Sequence, residues 1–166
     1  MMTRAASKIV TVADAAREIL AWRAAGETVV FANGVFDLVH VGHARYLSGA
    51  RSQGSRLVVG INSDRSAAEL KGAGRPVLGE RERALLIAAL RVVDRVVLFD
   101  ERSADALLIA LAPDVHAKGT DYRPDTVPER ATMATLGGRT VVAGDPKDHA
   151  SRELYERVRD RHRGST

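Results

Sequence analysis

Hydrophobic and polar residues along the chain follow two patterns: short apolar runs, and longer stretches with an apolar residue at every third or fourth position. The runs are typical of strands buried on both faces of a parallel sheet, and the longer period indicates helices packed on one side. The runs predict strands at 28–32, 56–61, within 92–99, at 115–118 and at 140–143. The helical periods predict helices at 11–25, 41–53, 66–70, 80–90, 103–111 and 126–136.

Strands and helices alternate throughout this pattern. Such alternation favours right-handed crossovers, so we expect a doubly wound, Rossmann-like α/β fold with a mainly parallel sheet of about five strands. The helix at 126–136 begins with Thr126 and Glu129 at the spacing of a capping box. The length of 166 residues favours one domain over 1–166. Ligands of such sheets bind beyond the carboxyl ends of the strands, so the segments that follow the strands are the candidates for chemistry.

The segment after the first strand carries the most informative residues of the chain. Gly34 follows the strand, and His40 and His43 lie where the next helix is predicted to begin. A helix N-terminus presents unpaired N–H groups, a glycine lets a phosphate approach the main chain, and imidazoles add directed donors. The pattern therefore predicts a phosphate site. The alternatives are a metal site or ordinary surface histidines, but the chain has no cysteine and its other histidines are scattered.

The sequence of residues 33–47, NGVFDLVHVGHARYL, resembles the signature of the cytidylyltransferase-like nucleotidyltransferases, which carry H-x-G-H after their first strand. Two further parts of the chain match that family, NSD at 62–64 followed by KGAGRP at 71–76, and KGTDY at 118–122. The closest resemblance is to the branch that adenylylates D-glycero-β-D-manno-heptose 1-phosphate. It covers residues 31–122 well and the rest loosely.

The resemblance implies an adenylyltransferase in lipopolysaccharide or surface-glycan precursor synthesis. A sugar 1-phosphate would attack the α-phosphorus of ATP, giving ADP-heptose and pyrophosphate. His40 and His43 would stabilise the transition state, and Lys71 would neutralise the leaving pyrophosphate. Mg²⁺ would be carried with ATP, so no metal site of the protein's own is expected.

The resemblance also implies which residues line the two halves of the site. The nucleotide-binding residues are expected to be Ala32, Asn33, Gly34, Val35, Phe36, His40, His43, Lys118, Gly119, Asp121, Lys147 and Ser151. The substrate-binding residues are expected to be Asp37, Asn62, Asp64, Arg75 and Arg83.

Several of these residues have an ordinary structural alternative that the sequence leaves open. Asp37 and the segment 62–64 have the composition of helix caps. The segment 71–76 has that of a basic surface loop, and Lys118 and Asp121 are spaced to form an ion pair at the end of a strand.

The chain departs from the family at two places. Val35 stands where the family usually has cysteine, which exchanges one small apolar residue for another. Ala150, Ser151 and Arg152 stand where the last helix of the family begins with serine-threonine-threonine. Ser151 can still cap that helix, and Arg152 or Lys147 can supply positive charge to a phosphate. Of the implied properties, the preference for ATP depends most on this second change.

Charge and aromatic content argue against nucleic acid as a partner. The net charge is +4 and the isoelectric point about 9.8, but much of the excess lies in the tail 152–163, where acidic residues alternate with the arginines. That mixture is typical of a solvated helix face. Aromatic residues make up only 4% of the chain, which leaves few platforms for stacking bases.

Other features of the composition limit the cellular compartment and the binding partners that we expect for the protein. The absence of cysteine excludes disulfides and thiolate metal sites. No apolar run approaches the roughly 20 residues that span a bilayer, and the N-terminus lacks the apolar core of a signal peptide. We therefore expect a cytoplasmic protein without membrane contact, whose partners are ATP and a sugar 1-phosphate. By resemblance a homodimer is plausible.

Two other functions compete with this interpretation. One is a cytidylyltransferase that acts on glycerol 3-phosphate or a phosphoalcohol, since the base is chosen by main-chain contacts that a sequence does not reveal. The other is a non-catalytic nucleotide-binding module, suggested by the altered start of the last helix. The nucleotides and acceptors that release pyrophosphate would distinguish all three.

Overall fold

The structure of the chain is a computed structural model that describes residues 2–145, 155–158 and 160. Its elements are α1 (Met2–Ala6), α2 (Val12–Ala24), β1 (Val29–Gly34), α3 (Val41–Arg51), β2 (Arg56–Asn62), α4 (Asp64–Lys71), α5 (Glu80–Ala88), β3 (Arg95–Phe99), α6 (Asp105–Leu111), β4 (Val115–Gly119), α7 (Arg130–Thr135) and β5 (Arg139–Ala143). Residues 155–158 are also helical. Within the described ranges, no helix has the length and apolar character needed to cross a membrane.

The strands form one five-stranded parallel sheet in the order β3-β2-β1-β4-β5. The chain builds outward from β1 through β2 to β3, and then returns to the other side of β1 for β4 and β5. The order therefore reverses between β1 and β4, and the carboxyl ends of these two strands border the crevice in which doubly wound sheets bind ligands. The predicted fold class is confirmed.

Alternate residues of each strand point to opposite faces of the sheet, and each face packs on its own helices. The first face packs on α3 and α5 through Val30, Ala32, Leu47, Ala50 and Ile87. The second face packs on α2, α6 and α7 through Val29, Phe31, Ile19, Leu108 and Met133. The apolar runs are therefore buried on both faces, as the sequence predicts for a parallel sheet.

The start of α7 differs from the prediction because neither side chain of the predicted capping box caps it. The Thr126 hydroxyl accepts from the N–H of Arg123 and donates to its carbonyl, both at 3.0 Å. The Glu129 carboxylate turns instead to Lys118. The helix consequently begins at Arg130. The short helix α1 is a further element that the apolar pattern does not predict.

Helix α3 lies very close to the segment after β5. A Cβ added at Gly49 would lie 2.8 Å from the backbone nitrogen of Gly144. Gly144 has a φ of +99°, a conformation that side chains disfavour, so its backbone is not free to adopt an ordinary alternative. The absence of a side chain at Gly49 therefore sets how closely α3 approaches this segment.

Gly49→Ala is expected to destabilise the fold by about 1–3 kcal/mol, because the new methyl group overpacks a main-chain contact. Alanine is the better helix former by about 1 kcal/mol, which offsets only part of this cost. Chemical denaturation followed by circular dichroism measures the change. Ser48→Ala is the control, since Ser48 is the exposed neighbour in the same helix and its change should stay within about 0.5 kcal/mol. A Gly49→Ala variant as stable as the parent would contradict the argument.

Candidate active site

The turn between β1 and α3 packs around one aromatic ring. Phe36 and Leu38 both adopt left-handed backbone conformations, with φ of 52° and 54°, which cost free energy in residues with side chains. The buried Phe36 ring packs against His43 and Tyr46, with ring centroids 5.2 and 6.3 Å away. A Cβ at Gly34 would lie 3.1 Å from the Phe36 ring. Gly34 therefore makes room for the ring around which the turn packs.

His40 and His43 form a reciprocal cap at the N-terminus of α3. The Nδ1 atom of His40 accepts from the N–H of Gly42 at 3.1 Å, and the Nδ1 atom of His43 accepts from the N–H of His40 at 3.4 Å. An accepting Nδ1 carries no proton, so in each neutral ring the proton lies on Nε2. The rings are stacked, with centroids 3.9 Å apart. The two rings thus cap the same helix start, each with its proton on Nε2 when it is neutral.

The ring of His43 is neutral near pH 7. Its pKa falls from 6.5 to about 4, first because the ring is buried, and then because a protonated His40 and the Lys71 ammonium would each repel a positive charge on it, against the opposing effect of Asp37. Lys71 is exposed at the end of α4, and its effect on His43 puts its ammonium group within electrostatic reach of the ring. Of the three residues predicted to be catalytic, the two histidines are therefore in direct contact, and Lys71 lies near enough to act on the charge of His43. A bound phosphate would raise the His43 pKa again, since negative charge favours the imidazolium.

Asp37 ties the loop between α4 and α5 to the histidine turn. Its carboxylate is buried, accepts from Arg75 Nη1 at 2.8 Å, and accepts from the N–H groups of Val77 and Leu78 at 3.0 and 3.2 Å. Asp37 and Arg75 were both predicted to bind substrate, but here they bind each other. Asp37 is therefore the anchor of the basic loop that follows Lys71.

Arg83 is fully buried and does not face the crevice. Its Nε donates to the carbonyl of Leu78 at 2.9 Å and its Nη1 to that of Val35 at 2.6 Å. Its Nη2 donates to the carbonyl of Asn62 at 2.8 Å and to Asp64 Oδ1 at 2.9 Å. The prediction that Arg83 contacts a substrate phosphate is wrong for this structure, because every nitrogen of its guanidinium is engaged within the protein.

The side chains of Asn62 and Asp64 differ in how accessible they are to a ligand. The Asn62 side chain is buried and donates to Ser66 Oγ at 3.1 Å and to the carbonyl of Glu101 at 3.2 Å, so it holds the end of β2 and does not point at a ligand. Asp64 receives Arg83 on one oxygen but keeps half of its side chain exposed. Ser63 caps α4 by accepting from the N–H of Ser66 at 3.2 Å. Of the segment 62–64, only Asp64 therefore stays a candidate for substrate contact.

The ends of β1 and β4 are joined by a polar cluster. Asn33 Oδ1 lies 3.1 Å from Lys118 Nζ and 3.0 Å from His116 Nε2. Lys118 Nζ in turn lies 3.0 Å from Glu129 Oε1 and 5.4 Å from the centre of the Tyr122 ring. The structure thus brings Asn33 and Lys118 together, as expected for the nucleotide end of the crevice. The ion-pair partner of Lys118 is Glu129 and not the nearby Asp121 that sequence spacing suggested.

The other predicted nucleotide-binding residues contribute in different ways or lie outside the described part of the chain. The side chains of Ala32, Val35 and Phe36 are buried, so they can offer a ligand only their backbone. Gly119 ends β4, and Asp121 follows it in an exposed turn. Lys147 and Ser151, together with the neighbouring residues 150 and 152, lie outside the described residues.

Sequence reasoning missed His116 and Glu129. A signal for His116 was present, because residues two apart in a strand share a face, and His116 lies two positions before Lys118. Glu129 gave no such signal, since its spacing from Thr126 favoured a local cap. Across residues 2–145 and the described helical tail, no group of three or more histidine, cysteine or acidic residues could hold a metal ion.

Comparison with known proteins gives the family of this fold and site. The cytidylyltransferase-like family matches residues 31–158. The chain belongs to this family. The lipopolysaccharide core biosynthesis protein from Thermoplasma volcanium GSS1 superposes with a TM-score of 0.64 at 31% identity, over 74% of this chain and all of the other. The predicted resemblance to cytidylyltransferase-like nucleotidyltransferases is therefore confirmed.

Curated relatives of higher identity are much longer than this chain. The bifunctional protein HldE of Methylobacillus flagellatus is 48% identical over 137 residues, which is 80% of this chain and 28% of that protein. The bifunctional protein HldE of Koribacter versatilis is 43% identical over 153 residues, which is 92% of this chain and 32% of that protein. The chain thus spans less than a third of the length of either relative.

His43 makes the stability of the fold depend on pH in a defined direction. Because its folded pKa of about 4 lies below the ordinary 6.5, the unfolded chain binds the proton more readily between these values. The contribution of His43 to the free energy of unfolding is therefore fully present above pH 6.5. It is lost as the pH falls toward 4, and the loss amounts to about 3 kcal/mol.

The variant His43→Asn tests this dependence, because an asparagine oxygen can replace the accepting Nδ1 while the titrating group is removed. Urea denaturation at pH 7 and at pH 4.5 should show a smaller loss of unfolding free energy in the variant than in the parent. Equal losses in the two proteins would mean that the pKa of His43 is not lowered on folding.

Asp37→Asn should destabilise the fold by about 2 kcal/mol, because the buried bond from Arg75 loses its charged acceptor. The same exchange at Asp100, whose partner Arg65 lies on the surface, is the matched control and should cost less than about 1 kcal/mol. Denaturation curves of both variants measure the difference. If the two variants were equally stable, Asp37 would not be the anchor of the basic loop.

Proposed function

We propose that this chain is an adenylyltransferase that joins the AMP part of ATP to a sugar 1-phosphate, D-glycero-β-D-manno-heptose 1-phosphate, giving ADP-heptose and pyrophosphate. The observation that carries the proposal is the pair of histidines capping α3 beside Lys71, in a chain of the cytidylyltransferase-like family. The chain matches less than a third of the length of the bifunctional HldE proteins, which supports the proposal that it carries one of the two activities that their name implies.

The chemistry needs no nucleophile from the protein. A phosphate oxygen of the sugar 1-phosphate forms a bond to the α-phosphorus of ATP, and the bond from that phosphorus to the bridging oxygen of the β-phosphate breaks. The acceptor is already anionic at neutral pH, so no side chain has to remove a proton. The protein contributes position and charge stabilisation, which account for most catalysis of this kind.

The histidines and Lys71 act on different parts of the reacting group. His40 and His43 donate Nε2–H to phosphate oxygens, whose negative charge grows in the transition state. Lys71, exposed at the end of α4, neutralises the leaving pyrophosphate. The loop after Lys71 is held by Asp37, which keeps the cation close to the histidines.

The two substrates occupy opposite sides of the histidines in this proposal. The nucleotide lies toward the ends of β1 and β4, near Asn33 and Lys118. The sugar phosphate lies toward β2 and α4, near Asp64. Mg²⁺ arrives on the triphosphate, which suits a cation that keeps most of its water and needs only one or two carboxylates from a protein.

The biological setting belongs to the same proposal. The relative from Thermoplasma volcanium is described as a lipopolysaccharide core biosynthesis protein, which supports a role in precursor synthesis for lipopolysaccharide or another surface glycan. A cytoplasmic location, where ATP is made, fits this role. The homodimer and the single domain over 1–166 stay predictions.

The proposal is tested by pyrophosphate release from ATP, GTP, CTP and UTP, each with heptose 1-phosphate and with glycerol 3-phosphate. Release with ATP and the heptose alone is the expected result. Release with CTP and glycerol 3-phosphate would replace the proposal with a cytidylyltransferase. Binding of ATP without release from any acceptor would favour a nucleotide-binding module.

His43→Asn should lower kcat by about 10²-fold to 10³-fold, because one donor to the transition-state phosphate is lost while the helix cap is kept. Asp100→Asn, at a surface ion pair, is the control and should turn over like the parent. The rates come from the same pyrophosphate assay under saturating substrates. A His43→Asn enzyme within a few-fold of the parent would disprove the role given to this ring.

A further inference from the structure

Four polar side chains meet at the ends of β1 and β4, and three of them are buried titratable groups. His116, Lys118 and Glu129 are 0%, 6% and 4% exposed. The reaction proposed above uses neither His116 nor Glu129. Burying such groups is costly unless they are paired and hydrogen-bonded, so their presence calls for a physical reason.

The donors in this cluster determine which way the Asn33 amide points. The ammonium of Lys118 can only donate, so the amide atom 3.1 Å from it must be the oxygen. His116 Nε2 lies 3.0 Å from the same oxygen and must therefore donate its proton there. Burial and the charge of Lys118 lower the pKa of His116 to about 4, so the ring is neutral and has one proton to give. The amide oxygen is thus occupied by two donors, and the amide NH₂ group is what Asn33 has left to offer a ligand.

Glu129 keeps the stronger of these two donors in place. Its Oε1 lies 3.0 Å from Lys118 Nζ, and both side chains are buried. Without that carboxylate the ammonium would be a lone charge in a buried setting, and it would be drawn toward solvent and away from Asn33. Glu129 lies just before α7, far along the chain from Asn33, so only the fold brings the two together.

We propose that Glu129 and His116 are positioning residues for the Asn33 amide. Glu129 acts through Lys118 and His116 acts directly, and together they hold the amide so that its N–H groups face an acceptor atom of the nucleotide. The inference rests on the proposed function, since it concerns the nucleotide end of that site. It assigns a role to two side chains that touch neither the reacting phosphates nor the sugar. It also makes nucleotide affinity depend on a residue, Glu129, that does not contact the nucleotide.

The test is a double-mutant cycle on ATP binding, measured by isothermal titration calorimetry with Asn33→Ala, Glu129→Gln and the variant carrying both. Glu129→Gln should raise the Kd for ATP on the order of tenfold, the usual loss for a hydrogen bond to a charged group. In the Asn33→Ala background the same change should cost less than about twofold, because residues that act in series are not additive. The KM for the sugar phosphate should stay within about twofold, which a general loosening of the structure would not allow.

The matched control is Glu18→Gln, which makes the same exchange at the ion pair of Glu18 with Arg95 and should leave the Kd for ATP unchanged. If Glu129→Gln does not fold, His116→Leu removes the other donor to the Asn33 oxygen and should raise the Kd for ATP by about threefold to tenfold. An unchanged Kd in the variant that folds, or a full tenfold effect in the Asn33→Ala background, would overturn the inference alone. Failure of the parent chain to bind ATP would instead overturn the proposed function and the inference with it.

Discussion

A buried guanidinium has to satisfy every one of its donors, and that requirement at Arg83 organises the crevice. Arg83 gathers the carbonyls of Val35 and Leu78 and the residues that end β2 and begin α4. These groups belong to separate segments of the chain, and each comes to a fixed position because an unpaired buried N–H would cost free energy. The histidine turn, the start of α4 and the basic loop are consequently parts of one rigid frame, even though they lie far apart in sequence.

The frame explains why the turn can hold an unfavourable backbone. Left-handed conformations at Phe36 and Leu38 persist only where the surroundings determine them. The Phe36 ring, the Arg83 donor to Val35 and the carboxylate of Asp37 each fix a different part of the turn. The outcome is a helix start whose capping groups are themselves the proposed catalytic rings, so local folding and chemistry depend on the same atoms.

Features that depend on nearby residues were predicted from the sequence, whereas roles that depend on contacts between distant segments were missed. Apolar runs and helical periods predicted the sheet and its layers, and the spacing of His40 and His43 predicted the central pair, because both depend on neighbours a few residues away. Arg83 was predicted to bind substrate, since nothing near it in sequence shows that β1, β2 and α4 converge on it. Glu129 looked like a cap for the same reason, and its true partner lies in another element.

The reversal of strand order next to β1 has a consequence for how such a protein can change over time. In the proposed function, the residues toward the nucleotide come from β4 and its surroundings, whereas those toward the acceptor come from β2 and the start of α4. The two recognition surfaces therefore occupy separate, contiguous stretches of the chain on either side of a shared β1 and α3. On this proposal, substitutions in one stretch would change the recognition of one substrate and leave the contacts to the other in place. A recombination crossover after β3 would then exchange the nucleotide-binding part of the chain while keeping His40 and His43.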